Sequence, residues 1–275
     1  MHTATTLGIA LVAWGGYTAA GHLLHPEPAA PATLAAAQGT DWTWKGALAA
    51  GKTIEIKGVN GDVRAIATSG SEVVVTAVKK ARKSDPESVS IEVVKSAAGV
   101  TICAVYPSDG KKDNVCAAGD GGHMSTRDND VSVTFTVQVP AGVKFAGRTV
   151  NGAVATERLG SDADVSTVNG DVRVVAAGVV RASTVNGSVD VSMGRADWTG
   201  KVELSTVNGS IRATLPANFS AEVMGQTVNG SIESEFPLTV QGKFGPRSVR
   251  GTIGAGGRTL DLETVNGSIT LAKGS

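Results

Sequence analysis

Two pairs of carboxylates stand two residues apart, Asp162 with Asp164 and Glu233 with Glu235. Side chains at that spacing share one face of a strand, and such a pair suits acid–base work on a polysaccharide. Any strand with a solvated outer face produces the same spacing, and that plainer reading is preferred. Gly46-Ala47-Leu48-Ala49-Ala50-Gly51-Lys52-Thr53 fits the phosphate-loop pattern at every position. That loop works between a buried strand and a helix N-terminus. Here Asp41–Lys45 is no hydrophobic strand, and Thr53-Ile54-Glu55-Ile56-Lys57 alternates as a strand does, so a fortuitous turn is expected.

Cys103 and Cys116 are the only cysteines. In an exported chain an even pair reads as a disulfide, one that closes a 14-residue loop and stabilises by about 3 kcal/mol. A two-cysteine metal site is the weaker alternative, since only His123 lies near. The polar, Gly-rich stretch 109–130 carries Asp120, Asp128, Asn129 and Asp130, oxygen donors of the kind Ca²⁺ takes, but without a calcium-loop spacing. Lys79-Lys80-Ala81-Arg82-Lys83 could touch an anionic polymer, yet Asp85 and Glu87 follow at once, and a solvated loop is the simpler expectation. The chain lacks G-x-S-x-G, H-E-x-x-H, paired C-x-x-C and G-x-G-x-x-G motifs, and no histidine follows His123. No catalytic, cofactor-binding or metal-ligating residue is assigned, and no cofactor is expected.

The elements that would position such groups are written in a recurring phrase. Thr-Val-Asn-Gly occurs at 149–152, 167–170, 184–187, 206–209, 227–230 and 264–267. A degenerate copy, Ser248-Val249-Arg250-Gly251, fills a gap, and Gly58-Val59-Asn60-Gly61 is an outlying copy. From Asn151 the Asn position advances by 18, 17, 22, 21, 21 and 16 residues, and such a period signals stacked units. The candidate structural corners are therefore Asn60-Gly61, Asn151-Gly152, Asn169-Gly170, Asn186-Gly187, Asn208-Gly209, Asn229-Gly230 and Asn266-Gly267.

In one copy Val202, Leu204 and Thr206 alternate with polar residues, and after the Asn-Gly so do Ile211, Ala213 and Leu215. The inward sets change phase across the corner, so one extra residue is absorbed there. Asn and Gly are expected to do this by tolerating positive φ. Asn-Gly also closes two-residue hairpins, which would give an antiparallel meander. A solenoid is favoured, because stacking like on like calls for the whole phrase to recur. The expected fold is all-β: a single-domain parallel β-solenoid of ~20-residue rungs over 38–275, with the repeat array at 143–275. Asparagines in a column can form a hydrogen-bonded ladder, which Arg250 would interrupt. Four Asn-Gly-Ser triplets match the glycosylation acceptor, but turn chemistry explains them better.

Lys+Arg and Asp+Glu balance at 25 each, which gives no electrostatic footprint for nucleic acid. Residues 1–37 combine an apolar run with an Ala/Pro spacer and read as a signal peptide cleaved before Gln38 or as a retained N-terminal anchor. A misassigned start or a plain tail is the remaining alternative. Gly15, Gly16 and Gly21 break the run and make it a poor spanning helix. Both leading readings place the rest outside the cytoplasm.

The stretch Ile54-Glu55-Ile56-Lys57-Gly58-Val59-Asn60-Gly61-Asp62-Val63, the strand end Val137-Gln138-Val139-Pro140-Ala141-Gly142-Val143 and the Thr-Val-Asn-Gly series together resemble the DUF4097 family of adhesin-like bacterial envelope proteins, over about residues 50–273. The resemblance implies a β-solenoid, a periplasmic, cell-surface or secreted setting, and no established catalytic residues. Some relatives are associated with envelope-stress responses. The leading expectation is a non-enzymatic, exported, adhesin-like or structural binding module of the cell envelope. Its strand faces, bearing Arg173, Asp190, Glu203, Arg212 and Glu233, would meet an envelope glycan or protein. The membrane would be reached only through an uncleaved N-terminal segment. The alternatives are a polysaccharide lyase or hydrolase and a membrane-anchored envelope-stress regulator.

Overall fold

A computed structural model describes residues 39–274 apart from 109, 111, 196–199 and 241–246. The expectations for the signal or anchor segment at 1–37 lie outside the described residues. No α-helix occurs among the described residues, and no helix there is long and apolar enough to cross a membrane.

The entry part contributes β1 (Gly39–Ala47), β2 (Thr53–Lys57), β3 (Val63–Thr68), β4 (Glu72–Lys80), β5 (Ser90–Lys95), β6 (Gly99–Val105) and β7 (Ser132–Pro140). The array begins with β8 (Lys144–Arg148), β9 (Val154–Glu157), β10 (Ala163–Ser166), β11 (Val172–Ala176), β12 (Val180–Ser183), β13 (Val189–Met193), β14 (Lys201–Asn208) and β15 (Ile211–Leu215). It ends with β16 (Ala221–Asn229), β17 (Ile232–Ser234), β18 (Thr239–Val240), β19 (Ser248–Ile253), β20 (Thr259–Asn266) and β21 (Ile269–Lys273).

These strands form two sheets. One has ten strands in the order β1-β4-β7-β3-β9-β11-β13-β15-β21-β17; the other has eleven, β18-β19-β16-β20-β14-β12-β10-β8-β2-β6-β5. Each Thr-Val-Asn-Gly corner carries the chain from the eleven-stranded sheet to the ten-stranded one. The next strand then pairs in parallel with its counterpart one repeat earlier, as β8 with β10 and β9 with β11. The inward set changes phase at the corner. Val202, Leu204 and Thr206 are buried before it, and Ile211, Ala213 and Leu215 after it.

Between the sheets lies a narrow core of Val, Ile, Leu and Ala, with Phe135 and Phe145 the bulkiest fully buried side chains. Fully burying each Val, Ile or Leu contributes about 1.5–3 kcal/mol. Small and β-branched residues suit this geometry, because two sheets about 10 Å apart leave little room for large ones.

Two expectations need correction. The sheets are mixed, not purely parallel. Antiparallel strands lie at one end of the ten-stranded sheet, β1, β4 and β7, and at both ends of the other, β5 against β6 and β19 against both β16 and β18. Edge strands present unpaired backbone groups that need cover, and at β1 the half-buried Trp42 and Trp44 turn inward onto the core.

The second correction concerns order. The last copy of the phrase does not lie at the end of the stack. β20 pairs in parallel with β14 on one side and β16 on the other, with Thr206, Thr264 and Thr227 in one row. The degenerate copy forms no corner, and β19 runs antiparallel to β16 with Arg250 opposite Met224. An arginine in an asparagine column would leave amide partners unmatched. The complete copy at 264–267 takes that place, and Arg250 stays on an edge where its guanidinium meets solvent and the Met224 sulfur, 3.6 Å away.

Candidate functional site

Each position of the repeated phrase has one job. The Thr side chains point inward, all six between 1% and 5% exposed. Their hydroxyls donate to the glycine carbonyl of the neighbouring repeat: Thr167 to Gly152 at 2.8 Å, Thr184 to Gly170 at 2.9 Å, Thr206 to Gly187 at 2.8 Å and Thr264 to Gly209 at 2.9 Å. Glycine is required because the backbones nearly touch. A Cβ on Gly170 would sit 2.1 Å from the Gly152 oxygen, and one on Gly209 1.9 Å from that of Gly187. The expected reason, positive φ, holds for few of them. Of the corner glycines only Gly61 (φ 120°) and Gly187 (φ 159°) have φ in the positive range.

The asparagine amides form one continuous ladder. Asn151 donates to Asn60, Asn169 to Asn151, Asn186 to Asn169, Asn208 to Asn186, Asn266 to Asn208 and Asn229 to Asn266, at 2.7–2.9 Å. Arg250 does not interrupt it. In the four Asn-Gly-Ser triplets the Nδ2 that would be glycosylated is already a ladder donor. Val150, Val168, Val185, Val207 and Val228 point outward, 37–55% exposed.

The face residues expected to present one surface are divided between two. Arg173, Asp190 and Arg212 stand in register on the ten-stranded sheet, and Thr270 links them to Glu233 in the same row. Glu203 belongs to the other sheet. Its row runs Glu55, Ala146, Asp164, Arg181, Glu203, Asp261, Met224.

The outer side of the eleven-stranded sheet is grooved. A cavity of about 170 Å³ against Glu55 and Arg148 shares Thr53 and Ala146 with one of about 360 Å³. That one shares Asp164 and Arg181 with a third of about 320 Å³, whose far wall is Asp261 and Glu263. A fourth, about 260 Å³, adjoins along β16 and β19. The first three cross the seven strands from β6 to β20, about 30 Å at the usual strand spacing. Ion pairs line the groove: Lys144 with Asp162 at 2.9 Å, Arg181 with Glu203 at 3.1 Å, and Lys201 with Glu203 at 2.7 Å and Asp261 at 2.9 Å. Hydrogen bonds from Lys201 and then Arg181 hold the Glu203 carboxyl below the usual range, and those to Asp261 and Glu203 push the Lys201 ammonium up.

One end of the groove is closed by the loop after β6. The Cys103–Cys116 disulfide ties it down, with a Cα–Cα distance of 5.8 Å. Lys57 fastens it again by donating to the carbonyls of Ala117, Gly119 and Gly121. Beneath lies Glu55, 5% exposed, whose Oε2 accepts from Thr101 Oγ1 at 2.8 Å and the Gly119 amide at 2.9 Å. Its Oε1 lies 3.7 Å from Arg148 Nε, a buried atom without a hydrogen-bond partner. Arg148 Nη1 reaches Asp120 at 2.9 Å. Glu55, Lys57 and Arg148 were not singled out as site residues from sequence. The one signal was charge at alternate positions of strands 53–57 and 144–148 beside a disulfide loop.

One carboxylate of each spaced pair has a structural partner, as do most of the other candidates. Asp162 also accepts from the Val179 amide at 2.9 Å, and Glu235 from the Lys273 amide at 2.7 Å. Asp130 accepts from the amides of Arg82, Lys83 and Ser84, and these bonds, Ser84 foremost, lower its pKa to about 2. It therefore pins the basic cluster, in which Lys79 is buried against Glu87 and the Val89 carbonyl. Among the described residues no group of three or more His, Cys, Asp or Glu is placed to hold a metal ion. The phosphate-loop pattern ends β1, turns with Lys52 N bonded to the Ala49 oxygen at 3.0 Å, and leads into β2. Burial pushes the Tyr106 phenol up to about 12, and its hydroxyl donates to the Val131 carbonyl at 2.8 Å.

A two-sheet stack of threonine- and asparagine-laddered corners, grooved on one outer face, defines a repeat-built all-β class of protein. The DUF4097 family, described as Toastrack, matches residues 123–272, more than half of the chain, and the chain belongs to it. Three solved structures are similar. A putative cell adhesion protein from Clostridium sporogenes ATCC 15579 is 12% identical, with 86% of this chain and 100% of that one covered and a TM-score of 0.46. A putative adhesin from Bacteroides fragilis NCTC 9343 is 13% identical, with 84% and 97% covered and a TM-score of 0.36. A putative lipid binding protein from Parabacteroides distasonis ATCC 8503 is 10% identical, with 86% and 97% covered and a TM-score of 0.22. No curated protein matches the chain.

Proposed function

We propose that this protein is a non-enzymatic binding module of the bacterial cell envelope. In this reading it is an exported β-solenoid whose repeated residues hold a shape and whose grooved face receives an extended, hydroxyl-rich envelope glycan. The observation that carries it is the contrast between saturated corners and an open groove. The Thr, Asn and Gly of every corner are engaged with each other, whereas three contiguous cavities run along the eleven-stranded sheet. Such a groove suits a linear polymer, and its lining of four basic and six acidic side chains offers donors and acceptors to hydroxyl groups. A disulfide at Cys103–Cys116 agrees with a setting outside the cytoplasm.

A lyase or hydrolase on the same scaffold would need carboxylates available to substrate. Asp162 is held by Lys144 and the Val179 amide, and Glu235 by the Lys273 amide, so in neither spaced pair are both carboxylates available for acid–base work. The test is retention of the purified chain on isolated bacterial envelopes and on a glycan array, beside Arg181→Glu, which reverses an exposed groove charge. Wild-type retention that falls at least about tenfold in the variant, the effect of losing one good charged contact, supports the reading. Equal retention of both, or turnover of a polysaccharide, contradicts it.

A further inference from the structure

The closed end of the groove combines three features that the fold itself does not call for. Its cavity, about 170 Å³, falls short of the ~300 Å³ at which pockets begin to take whole drug-sized molecules. It is sized for one ring. Its walls are apolar, from Ala98, Val100, Ala118 and Ala146. Its floor carries a buried carboxylate that has used only one of its two oxygens in hydrogen bonds. The other oxygen stands 3.7 Å from Arg148 Nε and 3.8 Å from Lys57 Nζ, beyond hydrogen-bond length from either. Its lone pairs are left for a partner, and a carboxylate this little exposed calls for one.

We propose that this cavity is a subsite for a single neutral sugar ring, the end unit of the chain lying in the groove. The inference rests on the glycan reading above. The chemistry selects the class. A group bound here must donate to Glu55 Oε1 and be uncharged, because the Lys57 and Arg148 cations already flank that oxygen. A sugar hydroxyl does both, and so does the N–H of an acetamido group, whose methyl would lie on the alanine wall. A carboxylate has no proton for Glu55, and its charge is opposed by that of Glu55. An ammonium meets the charges of Arg148 and Lys57. The loop that supplies Ala118 and the Gly119 amide is held in place by the disulfide and by Lys57. The subsite is therefore preformed, which lowers the ordering cost of binding.

The test is a titration of the isotope-labelled full chain with glucose and N-acetylglucosamine, and with glucuronate and glucosamine as charged controls. The Gly119 amide and Arg148 Nε–H resonances report on the site. Saturable shifts of both by a neutral sugar, and not by the charged ones, are expected. Ala98→Trp places a ring in the cavity from an exposed position and should abolish the shifts without changing the melting temperature. Glu55→Gln should weaken binding about tenfold, the effect of one hydrogen bond to a charged group. Absence of saturation with both neutral sugars, equal response to the charged ones, or shifts that survive Ala98→Trp overturns the subsite. If the subsite fails while envelope retention still depends on Arg181, the groove reading stands and only its end unit is misassigned. If retention fails as well, both fall.

Discussion

The corner of the array and the closed end of the groove solve the problem of buried polar groups in opposite ways. At the corner each group finds its match in the next repeat: hydroxyl to carbonyl, amide to amide. The repeat is its own partner, so the phrase can recur without change. At the groove end the partners are unique and come from far apart in the chain: Glu55 from β2, Thr101 from β6, Gly119 from the loop and Arg148 from β8. There the matching is incomplete. Repetition marks where the molecule is closed on itself, and the unrepeated end is where it stays open to something else.

The largest effect is expected at the tightest corners. Gly209→Ala puts a Cβ 1.9 Å from the Gly187 oxygen, and because the clash is with backbone it should cost at least about 4 kcal/mol in a denaturant melt. A near-normal melt would mean the corners are looser than the stack requires. At the open end, Cys103→Ser with Cys116→Ser should cost about 3 kcal/mol and raise amide exchange at 117–121. A cost well under about 1 kcal/mol would assign the loop's closure to the Lys57 carbonyl cage instead.

Smaller effects separate the two regions more finely. Thr206→Val keeps the shape of a side chain 4% exposed but strands the Gly187 carbonyl, so a loss of about 1–3 kcal/mol is expected from the same melts. Tyr106 links the regions. Its hydroxyl lies 3.4 Å from the Asn60 carbonyl and its carbonyl accepts from Asn114 of the loop at 2.9 Å. Burial holds its folded pKa at about 12, above the ordinary phenol value of 10.0. The stability it contributes is therefore complete below pH 10 and is lost as pH rises toward 12. Tyr106→Phe should lose about 1 kcal/mol at neutral pH and remove this part of the alkaline decline. The smallest effect belongs to Arg250→Asn, within about 0.5 kcal/mol, because Arg250 lies outside the asparagine column. A clear stabilisation would instead place residue 250 in the ladder.

Alternation and recurrence made the corners legible in the sequence. The phase change between Thr206 and Ile211, and the inward sets on either side, follow from residue types alone. The insertion of the last copy between β14 and β16 does not follow, because adjacency in a stack depends on which ladder partners match, and the spacing alone puts Arg250 in the column when the chain carries it to an edge. The separation of Glu203 from Arg173 and Arg212 was hidden for a related reason. Alternation tells inward from outward but not which of two sheets a strand joins. Glu55 was illegible as a site residue because its burial comes from the loop at 117–121, which strand periodicity does not record.

The central claim is that the repeats hold the shape and the groove does the binding. It is tested most directly by measuring retention on isolated envelopes for Asn208→Ala and Arg181→Glu side by side, with melting temperatures taken on the same samples. The expected result is a lowered melting temperature with unchanged retention for Asn208→Ala, and lost retention with only a small fall in melting temperature for Arg181→Glu, whose new carboxylate stands opposite Asp164 and Glu203. Loss of retention in the still-folded Asn208→Ala protein, with Arg181→Glu retained as the wild type is, would contradict it.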